Sequence, residues 1–251
     1  MLPYERQQAI FDYIRDRHAA SVSELSKRFF ISETSIRRDL SRLEHSGLIR
    51  KTYGGAVLMQ GDNEVISLEA RSQVAHEEKG IVAQKASALI RNGQVIFLDS
   101  SSTAMMMVPF LSGLSNLSVI TNGLKTAAAL AAYPQFKVYV LGGLLNTQTF
   151  SMCGTLTCQM VQNLHANILF VSPKGVDERG SIYCADEEEA YLRHLMMRNA
   201  DQTVLLCNHG KLGQRGAFHL CSLSEVNIFV CNETLEPSWE SLLKEYRVSP
   251  L

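Results

Sequence analysis

The chain has little that would send it across a membrane or into an oxidising compartment. No charged leader followed by an apolar run opens it, so a secretory signal is not expected. Its six cysteines, at 153, 158, 184, 207, 221 and 231, form no C-x-x-C pair and all fall in the second half. They read as reduced, small apolar side chains, not as a disulfide or zinc framework. The seven histidines show no H-x-x-x-H spacing, so no metal site is expected. Residues 100–124 lack charge, but several Ser and Asn, with Pro109 and Gly113, interrupt them, so they do not read as a membrane span. Neither a G-x-G-x-x-G fingerprint nor a Walker loop occurs, and no cofactor is expected. An excess of one charge is missing as well: 24 Lys and Arg face 25 Asp and Glu. Averaged over the whole chain, that balance argues against a polyanionic partner.

What is present is globular. The 251 residues are 46% hydrophobic and 20% charged, enough for one or two domains. The charge is not evenly spread. Residues 1–60 hold ten Lys/Arg and seven Asp/Glu, a net of +3, which leaves −4 for the remainder. A polar, aperiodic stretch, Met59-Gln60-Gly61-Asp62-Asn63-Glu64, separates the two parts. The expected organisation is a basic domain over 1–58, a linker over 59–75 and a larger domain over 76–251.

In the basic part, Ile10, Phe11 and Ile14 share one face of a helix from about Tyr4 to Arg17. Ser21-Val22-Ser23-Glu24 has the S-x-x-E form of a capping box and opens a second helix. Ser32 suits the N-cap of a third. On that helix Ile36, Leu40 and Leu43 cluster on one face, with Glu33 and Asp39 falling toward it. The opposite face shows Thr34, Arg37, Arg38, Ser41, Arg42 and His45, cations and hydroxyls without a carboxylate. Such a face suits a phosphate-lined groove, where Arg reads phosphates or guanine edges. Gly47 ends the helix. Leu48-Ile49-Arg50 and Ala56-Val57-Leu58 pair around a Gly54-Gly55 turn, a wing tipped with Arg50, Lys51 and Tyr53. The expected DNA-contacting set is Ser32, Thr34, Ser35, Arg37, Arg38, Ser41, Arg42, Arg50, Lys51 and Tyr53.

The stretch Ser32-Glu33-Thr34-Ser35-Ile36-Arg37-Arg38-Asp39-Leu40, followed by Leu43-Glu44, Gly47 and Tyr53-Gly54-Gly55-Ala56, closely resembles the recognition helix and wing of the DeoR family of bacterial transcriptional regulators. Ser35 stands where the family usually has Thr, and Lys51-Thr52-Tyr53 where it has Arg-x-His. The resemblance implies a winged helix-turn-helix that binds operator DNA.

From Val95 onward six apolar runs alternate with helical pattern: 95–98, 117–120, 138–141, 168–171, 204–207 and 228–231. Such runs predict an α/β domain with a mainly parallel sheet, buried on both faces. Ligands of these sheets bind beyond the carboxyl ends of the strands. Those ends supply Asp99, Ser101, Ser102, Thr103, Thr121, Asn122, Gly142, Gly143, Lys174 and Lys211. Small, hydroxylated and twice cationic, the set suits a phosphorylated polyol. Ser101, Ser102 and Thr103 would face an anion at a helix N-terminus, Lys174 and Lys211 would neutralise phosphate, and Asp99 and Asn122 would read hydroxyls. Gly142-Gly143 also reads as a tight strand exit, and Glu187-Glu188-Glu189 as the acidic first turn of a helix.

This half resembles the DeoR-family sensor domain, similar in fold to ribose-5-phosphate isomerase. The likeness rests on Asp99 to Thr103, Thr121-Asn122, Gly142-Gly143 with Gly154, Glu189-Ala190 with Arg193, and Lys211-Leu212-Gly213. Three family carboxylates are exchanged, at Lys174, Asn208 and Asn232, which admits a more acidic effector. The alternative is a phosphosugar isomerase with an accessory DNA-binding domain, its base Asp99 or Glu189. The resemblance instead implies a non-enzymatic regulator, a repressor of a carbohydrate operon that answers a phosphorylated metabolite. It would act in the cytoplasm, away from membranes. A single winged helix makes little contact, so a homo-oligomer, dimer or tetramer, is expected to engage paired half-sites.

Overall fold

A computed structural model describes residues 3–45, 47–58 and 67–251. The polar stretch Met59 to Glu64, expected at the heart of a linker, lies outside the described residues. The chain divides into two compact units, Met1–Val74 and Ala75–Leu251.

The first unit contains α1 (Pro3–Arg17), β1 (Ala19–Ser21), α2 (Val22–Phe29), α3 (Glu33–His45), β2 (Ile49–Thr52), β3 (Gly55–Leu58) and α4 (Leu68–Gln73). Ile10, Phe11 and Ile14 of α1 pack with Val22, Leu25, Ile36, Leu40 and Leu43 of α2 and α3, the apolar faces read from the sequence. The Ser21 hydroxyl accepts from the Glu24 amide at 3.1 Å and the Glu24 carboxylate accepts from the Ser21 amide, so the capping box is formed. Ser32 caps α3 by accepting from the Ser35 amide at 3.3 Å. Gly47, at φ +73°, ends it, with the Leu48 amide reaching back to the Leu43 carbonyl.

Three details differ from the expectation. The hairpin turns at Tyr53-Gly54, and Gly55 belongs to β3. A Cβ at Gly55 would strike the Ala20 carbonyl, because β1 pairs antiparallel with β3 to make a third strand, in the order β1-β3-β2. Residues 68–73, inside the expected linker, are helical and belong to the first unit.

The second unit begins with α5 (His76–Ser87), β4 (Val95–Leu98), α6 (Ser102–Met105), β5 (Ser118–Thr121), α7 (Leu124–Leu130) and β6 (Lys137–Val140). There follow β7 (Leu144–Asn146), β8 (Ser151–Cys153), α8 (Thr155–Gln162), β9 (Ala166–Val171), β10 (Gly175–Val176), β11 (Ser181–Cys184), α9 (Glu187–Arg198) and β12 (Ala200–Leu206). It ends with β13 (Phe218–Ser222), β14 (Ile228–Val230), α10 (Pro237–Glu245) and β15 (Ser249–Pro250). Seven strands form a parallel sheet in the order β15-β14-β12-β9-β4-β5-β6, one more than the six runs predicted. Alternate residues feed two cores. Ile96, Leu98, Ile168 and Phe170 pack with Val82, Ala83 and Ala86 of α5. Phe97, Leu169 and Val171 pack with Val161 of α8 and Leu192 and Met196 of α9. Chain order runs away from β4 in one direction and from β9 in the other, so the switch point lies between them.

Six non-glycine residues among those described take a positive φ, Phe30 among them. Phe30 sits at φ +55° in the turn between α2 and α3, its side chain 96% exposed. A left-handed non-glycine residue costs about 1–2 kcal/mol, and here no packing offsets it. Phe30→Gly is therefore expected to raise the stability of the first unit by about 0.5–1 kcal/mol after the entropy cost of glycine, read by urea titration.

Candidate functional site

In the first unit the helix face and the wing can be followed residue by residue. Thr34, Arg37, Arg38, Ser41 and Arg42 of α3 are exposed, as are Ser32, Arg50, Lys51 and Tyr53, while Ser35 is half-buried. Asp39 turns inward, fully buried, and accepts from Arg6 Nε at 2.6 Å and Gln7 Nε2 at 3.0 Å. Its charge is thus taken off the outer face and spent holding α1 to α3. Glu33 departs from the expectation. It is exposed and pairs with Arg37 at 3.1 Å, because the two are one turn apart. Lys51 is also engaged: Nζ donates to Ser41 Oγ at 3.0 Å and lies 3.6 Å from Glu44, whose carboxylate also accepts from the Lys51 amide. That arrangement anchors the wing to α3. Arg38 and Arg50 make no ion pair among the described residues, which leaves their guanidinium groups to a partner.

In the second unit the chemistry centres on a buried guanidinium. Arg193 of α9 lies 3.2 Å from Asp99 Oδ2 and 3.2 Å from Glu189 Oε2, and its Nη1 donates to Cys184 Sγ at 3.2 Å. Burial works against its charge, but the Cys184 sulfur, Asp99 and Glu189 outweigh it and hold the proton more tightly than usual. Asp99 follows β4 at the switch point. It accepts from the Ser101 amide at 3.0 Å and from the Ser172 amide, beyond β9, at 3.1 Å. Glu189 accepts from Ser151 Oγ at 3.0 Å, and that hydroxyl is 2.7 Å from Thr149 Oγ1. The Ser172 hydroxyl donates to the Leu206 carbonyl, accepts from Lys211 Nζ at 2.6 Å and lies 3.3 Å from Thr103 Oγ1.

The structure therefore joins Asp99 to Ser101 directly, and to Thr103 and Lys211 through Ser172. Ser102 is buried beside them in the single turn of α6. Ser101 is used locally: its amide is taken by Asp99 and its hydroxyl accepts from the Ala104 amide. Thr121 likewise serves its own turn, accepting from the Gly123 amide. Asn122 donates to the Met152 carbonyl at 3.2 Å, but its Oδ1 is buried without a partner. Ser100 Oγ and Asn208 Oδ1 are buried without partners too. These three atoms stand just beyond the carboxyl ends of β5, β4 and β12. The Asn208 Nδ2 group donates to Glu78 of α5 at 2.8 Å. Lys174 precedes β10, half-buried, with its ammonium unbonded among the described residues. Its neighbour Val176 bridges to Leu212, which brings the Lys174 and Lys211 segments side by side. Gly142 and Gly143 instead pack on α8. Thr157 donates to the Gly142 carbonyl, and a Cβ at Gly143, φ +151°, would collide with that hydroxyl.

Sequence reasoning assigned no site role to Arg193 or Ser172, and gave Glu189 one only as a base in the isomerase alternative. The signal for Arg193 and Glu189 was an i, i+4 acid–base pair inside a helix that is otherwise largely buried; the acidic-turn reading holds for Glu187 and Glu188, which are exposed.

Comparison with known proteins agrees with both halves. Residues 6–61 match the model of the DeoR-like helix-turn-helix domain, and residues 74–233 that of the DeoR C-terminal sensor domain. The chain belongs to the DeoR family. It is 32% identical to the HTH-type transcriptional regulator GolR of Listeria innocua, over 98% of this chain and 96% of that one. It is 34% identical to the uncharacterised HTH-type transcriptional regulator YulB of Bacillus subtilis, over 99% and 96%. The glycerol-3-phosphate regulon repressor of Escherichia coli is 27% identical over 89% and 88%. Among solved structures, a D-ribose-5-phosphate isomerase is similar over 55% of this chain and 54% of that one, at 15% identity and a TM-score of 0.42. This DeoR-family chain is a DNA-binding transcriptional regulator, not an enzyme.

Two outcomes follow for this regulator. Arg193→Met strands Asp99 and Glu189 as buried charges, and is expected to destabilise the sensor unit by about 3–5 kcal/mol in urea unfolding. Burial pushes the thiols of Cys153 and Cys207 up to about 12 and that of Cys221 higher still. Iodoacetamide at pH 8 should leave these three unmodified in the native protein and alkylate them in urea, as read by peptide mass spectrometry.

Proposed function

We propose that this protein represses a carbohydrate-metabolism operon by placing α3 in the major groove and its wing on the flanking backbone. In this reading Ser32, Thr34, Ser35, Arg37, Arg38, Ser41, Arg42, Arg50, Lys51 and Tyr53 contact DNA. The domain over 76–251 senses a phosphorylated sugar or related anion and communicates across the 59–75 segment. Repression follows the family majority; among the relatives both the glycerol-3-phosphate repressor and an L-fucose operon activator of Haemophilus influenzae occur. In this reading it acts in the cytoplasm, where operator DNA is; no helix among the described residues is long and apolar enough to cross a membrane.

The single observation that carries the sensing role is the set of Ser100 Oγ, Asn122 Oδ1 and Asn208 Oδ1, buried and unpartnered at three strand ends. Buried polar atoms in folded proteins are normally satisfied, so unpartnered oxygens at three strand ends on either side of the switch point support a ligand that supplies the missing hydrogen bonds. Lys174 and Lys211 beside them give that ligand its anionic character. Asp99, Ser101, Ser102, Thr103, Thr121 and Asn122 shape the floor, while Gly142 and Gly143 hold the end of β6 against α8. Effector binding shifts operator affinity by the difference between its affinities for the two states. Two linked copies engage paired half-sites.

A thermal-shift screen with phosphorylated sugars tests the sensing role. At least one compound should raise the melting temperature, and Lys211→Met should remove the shift; silence across the panel would sink the assignment. For the DNA role, fluorescence anisotropy with a random-sequence 30-bp duplex is the probe. Arg38→Ala should weaken binding about tenfold and flatten its salt dependence by roughly one unit of slope. Glu33→Gln, which releases Arg37, should strengthen it.

A further inference from the structure

Residues 138–164 contain no Asp, Glu, Lys, Arg or His, 27 consecutive uncharged positions. Much of this stretch faces solvent: Tyr139 is 51% exposed, Val140 42%, Leu144 67%, Leu156 66% and Met160 42%. It surrounds β6, the last strand of the seven-stranded sheet. The amides of Lys137 and Leu141 donate to Leu117 and Thr121 on the β5 side. By alternation, those of Val138 and Val140 point outward from the sheet. The Gly142 amide, next in that outward series, meets only the Met160 thioether at 3.3 Å, a weak acceptor.

The opposite end of the sheet is built differently. There β15 is two residues long and its second residue is Pro250, both devices that blunt an edge. The β6 edge has neither, and its single charge is Lys137 at its start. Beside it, Gly142 and Gly143 line an open groove with Leu156 and Met160 of α8. Apolar side chains lie on both faces of the edge, since Tyr139 alternates with Val140.

We propose that the β6 edge and the exposed face of α8 dock a second copy of this chain about a twofold axis. An uncharged surface is complementary to itself: two copies bring no like charges together. A charged partner would bury its charges with no counter-charge to meet them. Interface cores are depleted of charge in this way. At roughly 200 Å² for a fully exposed large side chain, the five apolar residues offer about 500 Å² per protomer. Backbone at the edge and the polar ends of Gln159 and Asn163 bring this toward the ~800 Å² per partner of a stable complex. A twofold axis sets the two β6 strands antiparallel, so that the outward amides and carbonyls of Val138 and Val140 pair across it. The inference gives the regulator reading its paired readers, but its test uses neither DNA nor effector.

Sedimentation velocity on the full chain over a nanomolar-to-micromolar dilution series measures the association. The wild type should reach at least twice the 27.9 kDa of one chain. Leu156→Glu places charge on the exposed face, and Val140→Pro removes an outward amide while leaving the bonds to β5. Either should raise the dimer dissociation constant tenfold or more, with a native circular dichroism spectrum. Phe110→Glu, at an exposed apolar residue far from this stretch in sequence, should leave it unchanged. If Leu156→Glu does not fold, Met160→Gln replaces it. A monomeric wild type, unaltered association in the edge and α8 variants, or equal loss in Phe110→Glu would overturn the proposal.

Discussion

The sensor unit is organised around one buried guanidinium. Arg193 bridges Asp99, beyond β4, and Glu189, one turn back on its own helix. Neither carboxylate is affordable in a sheet interior without that cation, and the cation is not affordable without them. The triad therefore ties α9 to the end of β4. It also determines what Asp99 can do. One oxygen holds the Ser101 amide and the other the Ser172 amide, so the turns after β4 and β9 are tied together at the switch point. Both carboxylates that an isomerase reading would need as a base are consumed in this way, which gives the non-enzymatic assignment a physical cause. In the proposed reading a ligand meets the unpartnered oxygens of Ser100, Asn122 and Asn208 instead.

The first unit solves a different problem with the same materials. It must present cations to a polyanion without repelling itself apart. Asp39 is turned inward onto Arg6, Glu33 restrains Arg37, and Glu44 anchors Lys51. Arg38 and Arg50 are left without ion-pair partners among the described residues. Each exposed pair adds little stability, but together they moderate non-specific attraction, since a guanidinium must leave its carboxylate before it can meet phosphate. The net charge of +3 in residues 1–60 therefore understates the cation presented, since Lys27, Arg28, Arg38 and Arg50 are exposed and enter no ion pair among the described residues.

Much of this was legible in the chain. Ser21 and Ser32 marked the starts of α2 and α3 because a cap is a local device, needing only a hydroxyl and an amide three residues on. The strands of the main sheet were visible because burial on both faces demands continuous apolar residues. What escaped was short or dependent on a neighbour. β1, β7, β8, β10 and β15 have two or three residues each, too few to show a period. Gly55 was read as a turn because the reason for glycine there is the backbone of β1, not its own conformation. The Glu33–Arg37 pair was lost in a wheel that sorted residues by face and ignored reach.

The residues alone determined that a basic winged helix precedes a parallel α/β unit, that α3 carries its cations outward, and that strand ends carry hydroxyls and lysines. These are consequences of periodicity, caps and composition, which act over a few residues. Which of those groups meet was decided by tertiary structure. Arg193 reaches Asp99 across 94 positions of chain, and Lys211 reaches Ser172 across 39. The charge-free stretch at 138–164 shows the same division. Its composition is plain in the sequence, but only the sheet order places it at an open edge, because hydrogen-bonded neighbours are settled by packing.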